Sequence, residues 1–188
     1  MAFTTVPTVT TGELWTAANQ NTYLRDNVNL LGANRNAELF IPLSGGYNVT
    51  DTSNLTLDSN YRGLEMIDNK QTVVFSGYFT PDRFVETMTV DFVCIPADTG
   101  FLYGRLRVYA GAEDEPYTTI DVQTNLTQTT ISTGNDWYEV GNLTVTGVAV
   151  ADFLTIHYER VANNANDTIN DSVYAVGFLI RYTESNYG

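Results

Sequence analysis

The sequence predicts an all-β chain with one short N-terminal helix, its strands folded as an antiparallel, jelly-roll-like β-sandwich. Three observations carry that expectation. From about residue 37 onward, short runs rich in Val, Ile, Thr, Tyr and Phe recur between turn signals. Within those runs apolar and polar residues alternate, the pattern of strands with one buried face. The helical pattern is confined to the first thirty-two residues.

The helix is bracketed by its own signals. Thr16 can cap its first turn and Gly32 sits where the left-handed residue of a helix C-terminus is usually found. Between them Ala17, Leu24, Val28 and Leu31 fall at helical spacing, Asn21 interrupts the stripe, and Trp15 stands just ahead of it. The stripe is narrow and leaves two readings open: it docks on the chain's own sheet, or three copies meet about an axis with Asn21 setting the register. Residues 1–36 are therefore read as an extended arm and assembly helix, and 37–188 as the sandwich.

Candidate strands follow at 39–43, 54–58, 63–68, 72–79, 86–95, 102–110, 118–126, 138–145, 153–161 and 173–182. They are separated by Ser44-Gly45-Gly46, Pro81-Asp82, the turn at 96–100, the acidic loop at 111–116, Thr133-Gly134-Asn135-Asp136 and a long polar loop at 162–171. Alternation assigns faces. Leu154, Ile156 and Tyr158 share the buried face of one strand, and Tyr174, Val176, Phe178 and Ile180 that of the last. Leu102, Leu106 and Val108 oppose Tyr103, Arg105, Arg107 and Tyr109. That second face, two arginines between two tyrosines, fits a subunit interface, a glycan-binding surface or an ordinary sheet exterior. Uneven loops between long strands point to a jelly roll of about eight or more strands; their order is not readable.

The N-terminal motif also carries a family resemblance. Gly12-Glu13-Leu14, Thr16-Ala17-Ala18, Asn21-Thr22-Tyr23-Leu24-Arg25-Asp26-Asn27 and Leu30-Leu31 resemble the opening of tail-fibre and head-decoration proteins of tailed phages. The C-terminal part is similar too, through Arg160-Val161, Asp167-Thr168 and the final strand closing on Arg181-Tyr182. The resemblance implies a virion structural role, either in the head or in the tail, with the virion as its location.

Composition limits the alternatives. A chain of 188 residues can bury a core without disulfide or metal staples. A net charge of −13 with Lys70 as its single lysine excludes a nucleic-acid binder, which needs clustered Lys and Arg. No run approaches the ~18 apolar residues of a membrane helix, and no basic-then-apolar leader opens the chain, so neither membrane nor secretion signal is expected. Cys94 lies in phase with Met88, Val90 and Phe92 and reads as a small buried hydrophobe.

Catalytic chemistry finds little support. His157 is the one histidine, with neither nucleophile nor second ligand nearby in its strand. Glu113-Asp114-Glu115 crowds three carboxylates into one loop, whereas glycoside hydrolysis needs two held apart across a cleft. The loop at 163–171 is rich in oxygen ligands but lacks EF-hand spacing. No catalytic residue, cofactor or metal is expected. The reading is a non-enzymatic virion protein, a homotrimer assembling through Trp15, Ala17, Asn21, Leu24, Val28 and Leu31 or through Tyr103, Arg105, Arg107 and Tyr109. Its partners are then other copies of itself and capsid or tail proteins. The alternative is a receptor- or carbohydrate-binding tip in which Tyr117, Trp137 and Tyr138 stack on host glycans.

Overall fold

The computed structural model describes residues 35–60, 62–80 and 84–184. The expected helix, with Trp15, Ala17, Asn21, Leu24, Val28 and Leu31, lies outside the described residues. The strands are β1 (Arg35–Pro42), β2 (Gly45–Asn48), β3 (Leu64–Met66), β4 (Gln71–Phe79), β5 (Phe84–Pro96), β6 (Gly100–Gly111), β7 (Ile120–Gln123), β8 (Thr127–Ile131), β9 (Tyr138–Thr146), β10 (Phe153–Val161) and β11 (Val173–Glu184). One sheet runs β1-β11-β5-β9, with β3 also on β11; the other runs β2-β4-β10-β6-β7, with β8 also on β6. Every pairing is antiparallel. Strands late in the chain insert between early ones in both sheets, the winding of a double-sheet jelly roll.

The expected alternation explains the core. Met88, Val90, Phe92 and Cys94 of β5 are buried, as are Leu102, Leu106 and Val108 of β6 and Leu154, Ile156 and Tyr158 of β10. Phe92 from one sheet stacks on Tyr158 from the other, with centroids 4.0 Å apart and planes 8° off parallel. Phe178 of β11 adds a tilted ring 5.9 Å from Phe92. Burial pushes the Cys94 thiol up to about 12, so it stays protonated and serves as packing.

Four expectations are corrected. In β11 a bulge at Val176 shifts the register between Ala175 and Gly177, because an extra residue reverses the two-residue period. Val173 and Ala175 therefore join Phe178 and Ile180 in the core. Tyr174 instead lies under the Arg62 guanidinium, 3.6 Å from its ring centroid, and Val176 lines a surface groove. Segment 54–58 makes only isolated bridges, Tyr47↔Asn54 and Leu57↔Leu64. Gly45-Gly46, expected in a turn, belongs to β2; Gly46 is needed for close packing, since a Cβ there would fall 2.8 Å from Leu55 Cδ1 and 2.9 Å from Val73 O. The run 118–126 yields the short β7, and the polar Thr127–Ile131 pairs as β8 on the same edge of β6.

Two arginines hold the loops and sheets in place. Arg160, fully buried, donates to both Asp167 carboxylate oxygens at 3.1 and 2.9 Å. It also donates to the carbonyls of Met66, Asp171 and Ile169 at 2.8, 3.1 and 2.9 Å. Those contacts match its five N–H donors, and they organise the long loop before β11. On the outer face of the first sheet Arg181 reaches Glu38 of β1, Asp91 of β5 and Glu139 of β9 at 2.7, 2.7 and 2.6 Å, tying four strands together. The paired residues of the C-terminal motif, Arg160 with Asp167 and Arg181 with its carboxylates, are thus architectural.

Candidate binding face

The second sheet turns one face away from the core. Along β6 that face carries Arg105, Arg107 and Tyr109, and antiparallel pairing on β10 sets Glu159 beside Arg105 and His157 beside Arg107. On the other side of β10, Phe75 of β4 pairs with His157 and Val73 with Glu159. β2 then brings Tyr47 opposite Val73. The result is a groove of about 420 Å³ lined by Tyr47, Val49, Gln71, Val73, Arg105, Arg107, Tyr109, His157 and Glu159.

Aromatic rings cross this sheet in a row. Centroid separations are 6.4 Å for Tyr47–Phe75, 6.2 Å for Phe75–His157, 5.5 Å for His157–Tyr109 and 5.4 Å for Tyr109–Tyr117. The ends are the most accessible, Tyr47 at 36% and Tyr117 at 72% exposure. The Arg107 guanidinium sits 4.4 Å from the Tyr109 centroid, a cation–π contact that orients both.

The charges on the face are paired. Arg105 Nε donates to Glu159 Oε2 at 2.5 Å, and Gln71 Nε2 donates to the other Glu159 oxygen. Arg107 donates bidentately to Asp121 of β7 at 2.8 and 2.5 Å. That hydrogen bonding holds the Asp121 carboxyl below its usual range and raises Arg107. Partial burial, helped by the nearby Arg107 charge, lowers the His157 pKa and favours the neutral imidazole.

Of the residues expected to act together, Arg105, Arg107 and Tyr109 share the groove, while Tyr103 lies further along β6, paired with Gln128 of β8. Tyr117, Trp137 and Tyr138 do not form one tip. Tyr117 joins the row through Tyr109, whereas Trp137 and Tyr138 line a groove on the opposite sheet. The Tyr138 hydroxyl accepts from the backbone N–H of Ser132 and Thr133 at 3.1 and 2.9 Å, which ties it to its own turn. Glu113, Asp114 and Glu115 sit in an exposed turn. Tyr47, Gln71 and Phe75 were not foreseen. Phe75 and Gln71 had the right period for an outer face, but their partners follow only from strand order.

A comparison with protein-family models finds none that matches, and no curated protein matches. Among solved structures, the chain is similar to a xylan-binding module CBM15, with a TM-score of 0.44 and 12% identity over 80% of this chain and 99% of that one. It is also similar to TmCBM61, solved in complex with β-1,4-galactotriose, with a TM-score of 0.38 and 6% identity over 72% of this chain and 85% of that one. The functional reading rests on this chain's own residues instead.

Proposed function

We propose that the chain is a non-catalytic module of a virion surface that binds a neutral carbohydrate on the β2-β4-β10-β6 face. The rings of Tyr47, His157 and Tyr109 border one groove with Arg105, Glu159 and Gln71, and Phe75 and Tyr117 continue their row; this is the observation that carries the reading. A pyranose presents an apolar C–H face and a rim of hydroxyls. Aromatic faces carry negative quadrupole charge that attracts such C–H groups, while guanidinium, carboxylate and amide groups meet the hydroxyls as donors and acceptors.

Neutrality follows from the pairing. Arg105 is matched by Glu159 and Arg107 by Asp121, so no net positive charge is available to an anionic sugar. The same pairing argues against hydrolysis, because the carboxylates of this face already hold guanidinium groups instead of standing free across a cleft. Virion placement is supported by the Gly12-Glu13-Leu14 to Leu30-Leu31 motif of the sequence.

Screening neutral and acidic oligosaccharides on an array, followed by calorimetric titration of the best binder, tests the reading. Tyr109→Ala should weaken binding by ~30-fold, the loss expected when an aromatic anchor worth about 2 kcal/mol is removed. Trp137→Ala, on the other sheet, should leave affinity unchanged. Absence of any glycan ligand, preference for acidic sugars, or full affinity in Tyr109→Ala would overturn the proposal.

A further inference from the structure

The outward face of β4, β10 and β6 does not end at the groove. Its rungs continue toward the start of β10: Gly77 of β4, Thr155 of β10 and Tyr109 of β6 pair in one, and Phe79, Phe153 and Gly111 in the next. Phe79 and Phe153 are 54% and 49% exposed, and their ring centroids lie 4.2 Å apart with the planes tilted by 49°. A single exposed ring is ordinary, whereas two held together on one face make a preformed apolar platform.

Open floor separates this platform from the groove. Gly77 carries no side chain, and a Cβ built there would meet only the Leu154 carbonyl oxygen, at 3.6 Å, an ordinary contact. Packing therefore does not demand glycine at this position, and the space above it stands open beside Thr155. Phe75 and Phe79 wall that floor four residues apart on β4, about 13 Å at the usual rise of a strand. One pyranose, scarcely wider than a phenyl ring, cannot rest on both sides of it; a chain of sugars can.

Size and charge favour the same class of ligand. A specific protein partner covers on the order of 1,200 Å² or more, which two half-exposed rings fall far short of supplying. Beyond Gly111, the partner of Phe153, β6 runs into the exposed Glu113-Asp114-Glu115 turn, whose carboxylates repel acidic sugars and anionic lipid headgroups.

We propose that Phe79 and Phe153 form a second stacking subsite, so that the ligand of this face is a neutral oligosaccharide long enough to lie on both Tyr109 and the phenylalanine pair. The subsite rests on the carbohydrate reading of the same face and narrows its ligand from any neutral sugar to an extended chain.

Calorimetric titration with neutral gluco-, manno-, galacto- and xylo-oligosaccharides, from disaccharide to hexasaccharide, tests it. Affinity within a series that binds should rise with chain length and level off once both platforms are covered. Phe153→Ala should abolish that rise, weakening the hexasaccharide about tenfold, the loss expected on deleting a contacting aromatic side chain, and leave the disaccharide unchanged. Gly77→Val should act likewise by filling the floor, with a melting temperature at or above the parent's, because a β-branched residue suits a strand better than glycine. Tyr109→Ala should weaken short and long chains alike. A hexasaccharide held no tighter than the disaccharide, or full hexasaccharide affinity in both Phe153→Ala and Gly77→Val, would overturn the second subsite and leave the groove reading standing. Equal losses for short and long chains in Phe153→Ala would also overturn it. A parent chain that binds none of the four series would overturn the subsite and the groove reading together.

Discussion

Arg160 shows how much one side chain can decide. Its guanidinium is out of solvent together with the Asp167 carboxylate, at 0% exposure for both side chains. Taking such a pair out of water is costly, and removing one partner strands the other charge inside the protein. Asp167→Asn keeps the shape but leaves the guanidinium uncompensated, so it should lower unfolding free energy by about 3–5 kcal/mol in urea titrations. Asp51→Asn, at an exposed pair with Lys70, should change little by comparison. A near-neutral Asp167→Asn would show that water or another carboxylate replaces the contact. The sequence placed Arg160 at the end of a strand and Asp167 in the following loop. It could not show that the loop folds back over β6, where the Tyr103 N–H donates to the same carboxylate at 3.1 Å.

At the scale of elements, β6 and β10 form the spine of the second sheet, and Gly104 is what lets them pack over Tyr158. A Cβ at Gly104 would fall 2.5 Å from Tyr158 Oη and 2.3 Å from the Glu159 carbonyl oxygen. Gly104→Ala must therefore displace the Phe92–Tyr158 stack or push β10 aside. Overpacking of this kind costs about 1–3 kcal/mol, visible as a lower melting temperature. The same shift moves Glu159, so the glycan affinity proposed for this face should fall in parallel; a variant as stable as the parent would mean that β10 yields at the Glu159 carbonyl without cost. Alternation made the two faces of β6 and β10 legible because the side-chain period belongs to the strand itself. It failed in β11, where the bulge at Val176 depends on a mismatch with β5 rather than on local composition.

For the molecule as a whole, the sandwich closes through pairing of its first and last strands. Arg35 pairs with Glu184, Asn36 with Thr183 and Ala37 with Tyr182, so the sheet begins before the sandwich boundary expected at residue 37. A chain beginning at Arg35 should unfold in one cooperative transition with an unchanged β-type circular dichroism spectrum. One beginning at Glu38 loses those three pairs and should melt at a lower temperature. An unfolded Arg35 chain would place residues 1–34 in the folding unit itself, beyond a surface role.

By itself the sequence determined the all-β class, the bounds of the long strands to within a few residues, the burial of Cys94 and the outward face bearing Arg105, Arg107 and Tyr109. Each of these is written in period-two patterning or in turn residues, and those act between neighbours in the chain. Tertiary structure decided the strand order, and with it which residues meet. Arg105 finds Glu159 54 residues away, Gln71 reaches the same carboxylate across 88, and Arg181 gathers Glu38 from 143. Tyr47 and Phe75 join Tyr109 because β10 inserts between β4 and β6, a choice made by packing two sheets around Phe92 and Tyr158. Local patterning sets which way a side chain faces, but partners across a sheet depend on long-range register that no single segment encodes.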